Sequence, residues 1–83
     1  MELRHLRYFV TAAEEGSISR AAARLNISQP AVSRQLRDLE EELGVTLFER
    51  IGTRLELTVS GLDLLEHVRA MGAAANQTSL AAT

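Results

Sequence analysis

The sequence predicts a mainly α-helical domain of three short helices, a two-stranded hairpin and a further, longer helix, and three observations predict it. Apolar residues recur at helical spacing from Leu3 to Leu43, and Gly16, Asn26, Ser28 and Gly44 interrupt that spacing. The period changes to that of paired strands only between Leu47 and Leu57. With 83 residues the chain suffices for one core, and 46% hydrophobic but only 4% aromatic content leaves Leu, Ile, Val and Ala to fill it. A sizeable enclosed active site is not expected in so short a chain.

In the first helix Leu3, Leu6, Phe9, Val10 and Ala13 share an arc of about 120°, while Arg4, Arg7, Thr11, Glu14 and Glu15 fill another. Gly16 stops it. Ser17 or Ser19 supplies the N-cap oxygen of a short second helix with Ile18, Ala21, Ala22 and Leu25 on one face, where small alanines permit close helix approach. Asn26 tolerates the left-handed turn, Ile27 plugs the corner, and Ser28 caps a third helix with Pro30 in its first turn. Two helices joined by so short a polar corner read as a helix-turn-helix. The third helix runs to Leu43, with Val32, Leu36, Leu39 and Leu43 as core stripe and Gln29, Pro30, Ser33, Arg34 and Arg37 on the opposite face.

Leu47-Phe48-Glu49-Arg50 and Arg54-Leu55-Glu56-Leu57 then flank the short connection Ile51-Gly52-Thr53, which makes a hairpin, or wing. Thr58 caps the last helix, in which Leu57, Gly61, Leu64, Val68, Met71 and Ala75 alternate four and three residues apart. Such a heptad seam is expected to dimerise, closely but weakly because Gly61 and Ala75 are small. The expected organisation is a winged helix-turn-helix over residues 1–57 and a dimerising linker helix over 58–83, fading past Asn76 into a frayed or cut end.

A net charge of -2 argues against nucleic acid until its distribution is considered. From Ser17 to Arg37 there are four arginines, Arg20, Arg24, Arg34 and Arg37, and no acid, whereas the five residues from Asp38 to Glu42 hold four acids. Potential depends on where charges sit. The free N–H groups at the start of the third helix, beside Ser28, favour phosphate, and its first two turns can reach base edges. Arg34 can grip guanine O6 and N7, Gln29 can pair with adenine, Pro30 can touch a thymine methyl, and Ser33 can serve base or phosphate. Arg20, Arg24 and Arg37 are expected on phosphates. Arg50 and Arg54 in the wing either reach backbone or minor groove or pair across strands with Glu49 or Glu56. The acidic run is expected to be a solvated face.

Other classes are excluded or weakened. There is no cysteine, and the histidines, His5 and His67, stand at opposite ends, so no metal and no cofactor is expected. No nucleophile and base pair or glycine-rich phosphate loop points to an enzyme. No stretch approaches the ~18 apolar residues of a membrane span and the start carries no apolar leader, so a cytoplasmic location is expected. A protein-binding winged helix using the leucine seam and the acidic run is the alternative, and it leaves the acid-free segment from Ser17 to Arg37 without purpose.

Several segments together carry a family resemblance: Leu3-Arg4-His5-Leu6-Arg7-Tyr8-Phe9, Gly16-Ser17-Ile18-Ser19-Arg20-Ala21-Ala22, Ser28-Gln29-Pro30-Ala31-Val32-Ser33-Arg34-Gln35, Leu39-Glu40, Leu43-Gly44, Leu47-Phe48-Glu49-Arg50, and Leu57-Thr58 with Gly61. Residues 1 to about 66 resemble the DNA-binding domain of a LysR-type transcriptional regulator. The opening nine residues also resemble members that control aromatic-compound degradation. The resemblance implies a bacterial activator or repressor that binds interrupted palindromes in promoter DNA, dimerises through the linker helix and assembles as a tetramer, with RNA polymerase as a further partner. It implies an effector-sensing domain after the linker, so the chain is expected to be a DNA-binding fragment that holds no small molecule. By the same resemblance, base contacts fall on Gln29, Pro30, Ser33 and Arg34, and Ser17 or Ser19 and Arg20 lie near phosphate. A basic residue is common in the family where Thr53 stands, which weakens the wing contact or moves it to Arg54.

Overall fold

The computed structural model describes the backbone of residues 1–82 and the side chains of residues 1–72. Its elements are α1 (Leu3–Glu15), α2 (Ile18–Leu25), α3 (Gln29–Leu43), β1 (Phe48–Ile51), β2 (Arg54–Leu57) and α4 (Val59–Ala82).

The helices start and stop where local chemistry dictates. The Glu2 N–H donates to Nδ1 of His5 at 3.2 Å, which gives His5 a structural part at the opening of α1. Ser17, not Ser19, caps α2: its Oγ accepts from the Arg20 N–H at 3.3 Å. Ser28 Oγ accepts from the Ala31 N–H at 3.2 Å, and Thr58 Oγ1 accepts from the Gly61 N–H at 3.0 Å, so each following helix has one otherwise orphaned donor satisfied. Asn26 turns the corner between α2 and α3 with φ 57°, the left-handed conformation its short side chain tolerates.

Phe9, Ala12, Ala21, Ala22, Val32, Leu36 and Leu39 from α1 to α3 form the core together with Leu47, Phe48, Leu55 and Leu65. The Phe9 and Phe48 rings lie 5.4 Å apart and tilted, which ties α1 to the hairpin. Thr11, placed on the polar arc by periodicity, is instead buried, because its hydroxyl is satisfied within α1 by donating to the Arg7 carbonyl at 2.8 Å. Conversely Leu3 is 85% exposed and Leu43 is 38% exposed, since both lie beyond the ends of the core that their helices cover. Leu3, Leu6 and Val10 face a groove shared with Leu25 of α2 and with Val68 and Met71 of α4. The apolar arc of α1 is thus wider than the core it meets.

The hairpin pairs Phe48 with Leu57, Glu49 with Glu56, Arg50 with Leu55 and Ile51 with Arg54. Ile51 therefore belongs to β1, and the connection is the two residues Gly52 and Thr53 rather than three. Gly52 has φ 63°, while Thr53 is not left-handed, the pattern of a type II′ turn with glycine first. The wing is held at its root by the Leu55 N–H donating to the Gly16 carbonyl at 2.9 Å and the Thr58 N–H donating to the Leu47 carbonyl at 3.0 Å.

The expected seam on α4 is divided. Leu57 and Leu64 pack against the core of their own chain. Gly61 is buried against the wing root, where an added Cβ would lie 2.2 Å from the Leu47 carbonyl oxygen. Glycine is required here by an intramolecular approach, which corrects its reading as a dimer contact. Val68 is half-buried and Met71 is 57% exposed, while Ala75 lies outside the residues whose side chains are described. No helix among the described residues is long and apolar enough to cross a membrane.

Candidate nucleic-acid interface

The start of α2, the first turns of α3 and the wing surround one open cleft of about 520 Å³. The Ser28 cap fixes where α3 begins and the buried stripe of Val32, Leu36 and Leu39 fixes its rotation, so Gln29, Pro30, Ser33 and Arg37 turn outward into the cleft. Ser19 lines it from α2, and Arg50, Thr53 and Arg54 line it from the wing. All of these but Thr53 are among the DNA-contact candidates of the sequence, so seven of those candidates share one concave surface. Ile18, Gly52 and Leu55 complete the lining; Ile18 was expected only on the apolar face of the second helix and Leu55 only as a strand residue.

Four other candidates stand apart from the cleft. Arg34 and Arg20 are exposed, on the same helix as Gln29 and on the neighbouring α2. Ser17 and Ser28 are occupied as helix caps, yet each only accepts in that role and retains its own O–H for an outside acceptor.

Among the described residues, three arginines, Arg37, Arg50 and Arg54, line the cleft and no carboxylate does. Among the described residues, Arg20, Arg34, Arg37 and Arg50 have no ion-pair partner. Arg54 lies 3.6 Å from Glu56 two residues along its own strand, and both side chains are mostly exposed, so solvent screening leaves that pair weak. The cross-strand pairs considered for the wing arginines do not form, because the register sets Glu49 opposite Glu56. That like-charge pairing is unfavourable for the hairpin by itself.

Arg24 is a correction. Its Nη1 donates to Glu14 at 2.7 Å and to Glu15 at 3.2 Å, so it staples α2 to the end of α1 and is not free for phosphate. The hydrogen bonds it donates, to Glu14 first and then to Glu15, hold its pKa above the ordinary arginine value. The sequence placed Arg24 with the other arginines because charge runs carry no information on which helix face each member takes.

The acidic run is also not uniform. Asp38, Glu41 and Glu42 are exposed, but Glu40 is half-buried and accepts from the backbone N–H groups of Leu47, at 2.7 Å, and Phe48, at 3.3 Å. Its signal in the sequence is faint: at eight residues past Val32 it falls about 80° round the helix from that residue, at the edge of the core stripe, where an acid can turn inward.

Residues 3–62 match the family described as bacterial regulatory helix-turn-helix protein, lysR family. The HTH-type transcriptional regulator ClcR of Pseudomonas putida is 55% identical over 69 residues, 83% of this chain and 24% of ClcR. The HTH-type transcriptional regulator AlsR of Bacillus subtilis is 52% identical over 69 residues, 83% of this chain and 23% of AlsR. This chain thus spans about a quarter of the length of these relatives. A crystal structure of the CbnR DNA-binding domain in complex with DNA superposes with a TM-score of 0.82 at 41% identity, covering 100% of both chains. The BenM DNA-binding domain in complex with catB site 1 DNA gives a TM-score of 0.84 at 43% identity, covering 95% of this chain and 89% of that one. The fold is the winged helix-turn-helix of those domains, and by sequence and structure together the chain belongs to the lysR family of bacterial regulatory helix-turn-helix proteins.

Proposed function

We propose that this chain is the sequence-specific, double-stranded DNA-binding domain of a LysR-type transcriptional regulator, formed by residues 1–57 and followed by a linker helix over 58–83. One observation carries the reading: in a chain of net charge -2, the cleft between α3 and the wing is lined, among the described residues, by three arginines and no acid. Three of the acids are committed elsewhere, Glu14 and Glu15 to Arg24 and Glu40 to backbone amides. That CbnR and BenM domains of the same fold form complexes with DNA supports DNA as the ligand.

In this reading the N-terminal half of α3 lies in the major groove of promoter DNA. Gln29, Pro30, Ser33 and Arg34 meet base edges; Ser17, Ser19, Arg20, Ser28 and Arg37 meet phosphates; Arg50 and Arg54 reach backbone or minor groove from the wing. Two copies pair through α4. Because Leu57, Gly61 and Leu64 are committed within the chain, the pairing surface is the later part of the seam, Val68 and Met71, and the adjoining Leu3, Leu6 and Val10 of α1. Linking two modest half-site binders raises effective affinity without new base contacts. The reading extends to a tetramer in the full-length regulator, to RNA polymerase as a further partner, and to the cytoplasm as its place.

Selection of bound duplexes from a random pool tests it. Enrichment of an interrupted, two-fold symmetric site is expected. No enrichment at moderate salt would favour a protein-binding winged helix instead.

A further inference from the structure

We propose that Glu40 is the positioning residue that sets the wing against the recognition helix, so that Arg50 and Arg54 engage the same duplex as α3. The inference rests on the DNA-binding reading above and adds to it a residue that never touches DNA.

Three ties join the root of the wing to the helices that precede it. The Phe48 ring leans on Phe9, the Leu55 N–H donates to the Gly16 carbonyl, and Oε2 of Glu40 accepts from both Leu47 and Phe48 N–H groups. The first two run to α1 and to the corner that follows it. Among the described residues, only the Glu40 bonds join a side chain of α3 to the backbone of the wing by hydrogen bonds. Apolar contacts such as that of Phe48 resist separation but tolerate sliding, whereas two amides converging on one charged oxygen fix direction as well as distance.

The position of the bond matters. Arg50 lies two residues beyond Phe48 and Arg54 pairs with Ile51 across the turn, so a small rotation at Leu47 and Phe48 is carried to both arginines. Glu40 lies on the same rigid helix as Ser33 and Arg37, which line the cleft opposite them. Reading head and wing are thereby referenced to one rod. The neighbouring acids Asp38, Glu41 and Glu42 stay exposed, so Glu40 is the member of the run whose charge is spent inside the protein.

The test is a double-mutant cycle with the full chain. Glu40→Ala and Glu40→Gln are each made in the parent and in an Arg50→Ala/Arg54→Ala background, and affinity is measured for the duplex the parent selects. Amide exchange at Leu47 and Phe48 is followed by NMR without DNA. Glu40→Gln keeps an acceptor but no charge, and guards against loss of folding in Glu40→Ala.

Losing a charged acceptor should speed exchange at Leu47 by about tenfold or more. Affinity should fall by about five- to tenfold in the parent but by less than about twofold once the wing arginines are gone, because the two sites are then uncoupled. Equal losses in both backgrounds, or unchanged exchange at Leu47 and Phe48, would overturn the proposal. If the parent selects no duplex, the DNA-binding reading fails separately, and the wing-setting role is judged by exchange and by 15N relaxation of residues 50–54, where no change rejects it.

Discussion

Replacing Gly61 by alanine asks whether α4 is seated on the wing root of its own chain. The added Cβ would lie 2.2 Å from the Leu47 carbonyl oxygen, 3.2 Å from its carbonyl carbon and 2.8 Å from Leu57 Cδ2. The leucine methyl can rotate away. The carbonyl cannot, since it accepts from the Thr58 N–H at 3.0 Å, so α4 must back off by about 1 Å and loosen that bond. Overpacking of this kind against backbone costs roughly 3 kcal/mol, and the helix propensity of alanine returns at most about 1 kcal/mol. The net loss of about 2 kcal/mol corresponds to a fall in Tm of roughly 8 to 16 °C for a domain of this size. Thermal and urea unfolding followed by circular dichroism, over a range of protein concentrations, measure it. Gly72→Ala on the same helix is the control: nothing lies within 4 Å of its added carbon, so stability should hold or rise. Unchanged or higher stability of Gly61→Ala would refute the seating of α4, and a loss that scales with protein concentration would place Gly61 at a dimer contact after all.

The arginines of α2 separate into two kinds. Arg20→Ala should flatten the salt dependence of DNA binding by about one unit of slope, as expected for one phosphate contact. Arg24→Ala should leave that slope unchanged and lower stability, because it breaks the bonds to Glu14 and Glu15; a flattened slope for Arg24→Ala would reverse the assignment. His67 should titrate above an ordinary histidine, first because its Nδ1 lies 2.7 Å from the Asp63 carbonyl oxygen and second because of the Asp63 charge. A raised value means that protonated His67 favours the folded state; the contribution is full below the unfolded pKa and lost as pH rises through the folded one. NMR titration checks it, and Asp63→Asn should move the midpoint part of the way down; an unmoved midpoint contradicts the charge contribution.

The helix limits were legible in the sequence because Ser17, Asn26, Ser28, Gly44 and Thr58 act locally, through caps and left-handed turns that need no tertiary partner. The recognition surface was legible for a similar reason: the stripe Val32, Leu36 and Leu39 fixes which way Gln29, Ser33 and Arg37 face. What periodicity could not give depended on where each side chain finds its partner. Thr11 is buried because a turn of its own helix satisfies it, Arg24 is diverted by Glu14 and Glu15 of another helix, and Glu40 finds amides seven and eight residues ahead in the wing. Gly61 reads equally well as a small seam residue or as a point of close backbone approach, and only the position of Leu47 decides between them.

Binding of the Arg34→Ala variant to the selected duplex and to a series with each base pair of the half-site substituted in turn bears most directly on groove reading by the first two turns of α3. The expected result is a loss of about 1 to 3 kcal/mol on the parent site, with discrimination abolished at one base pair and kept at the others. A uniform loss on every duplex would make Arg34 a phosphate clamp, and no loss on any of them would remove the start of α3 from the groove.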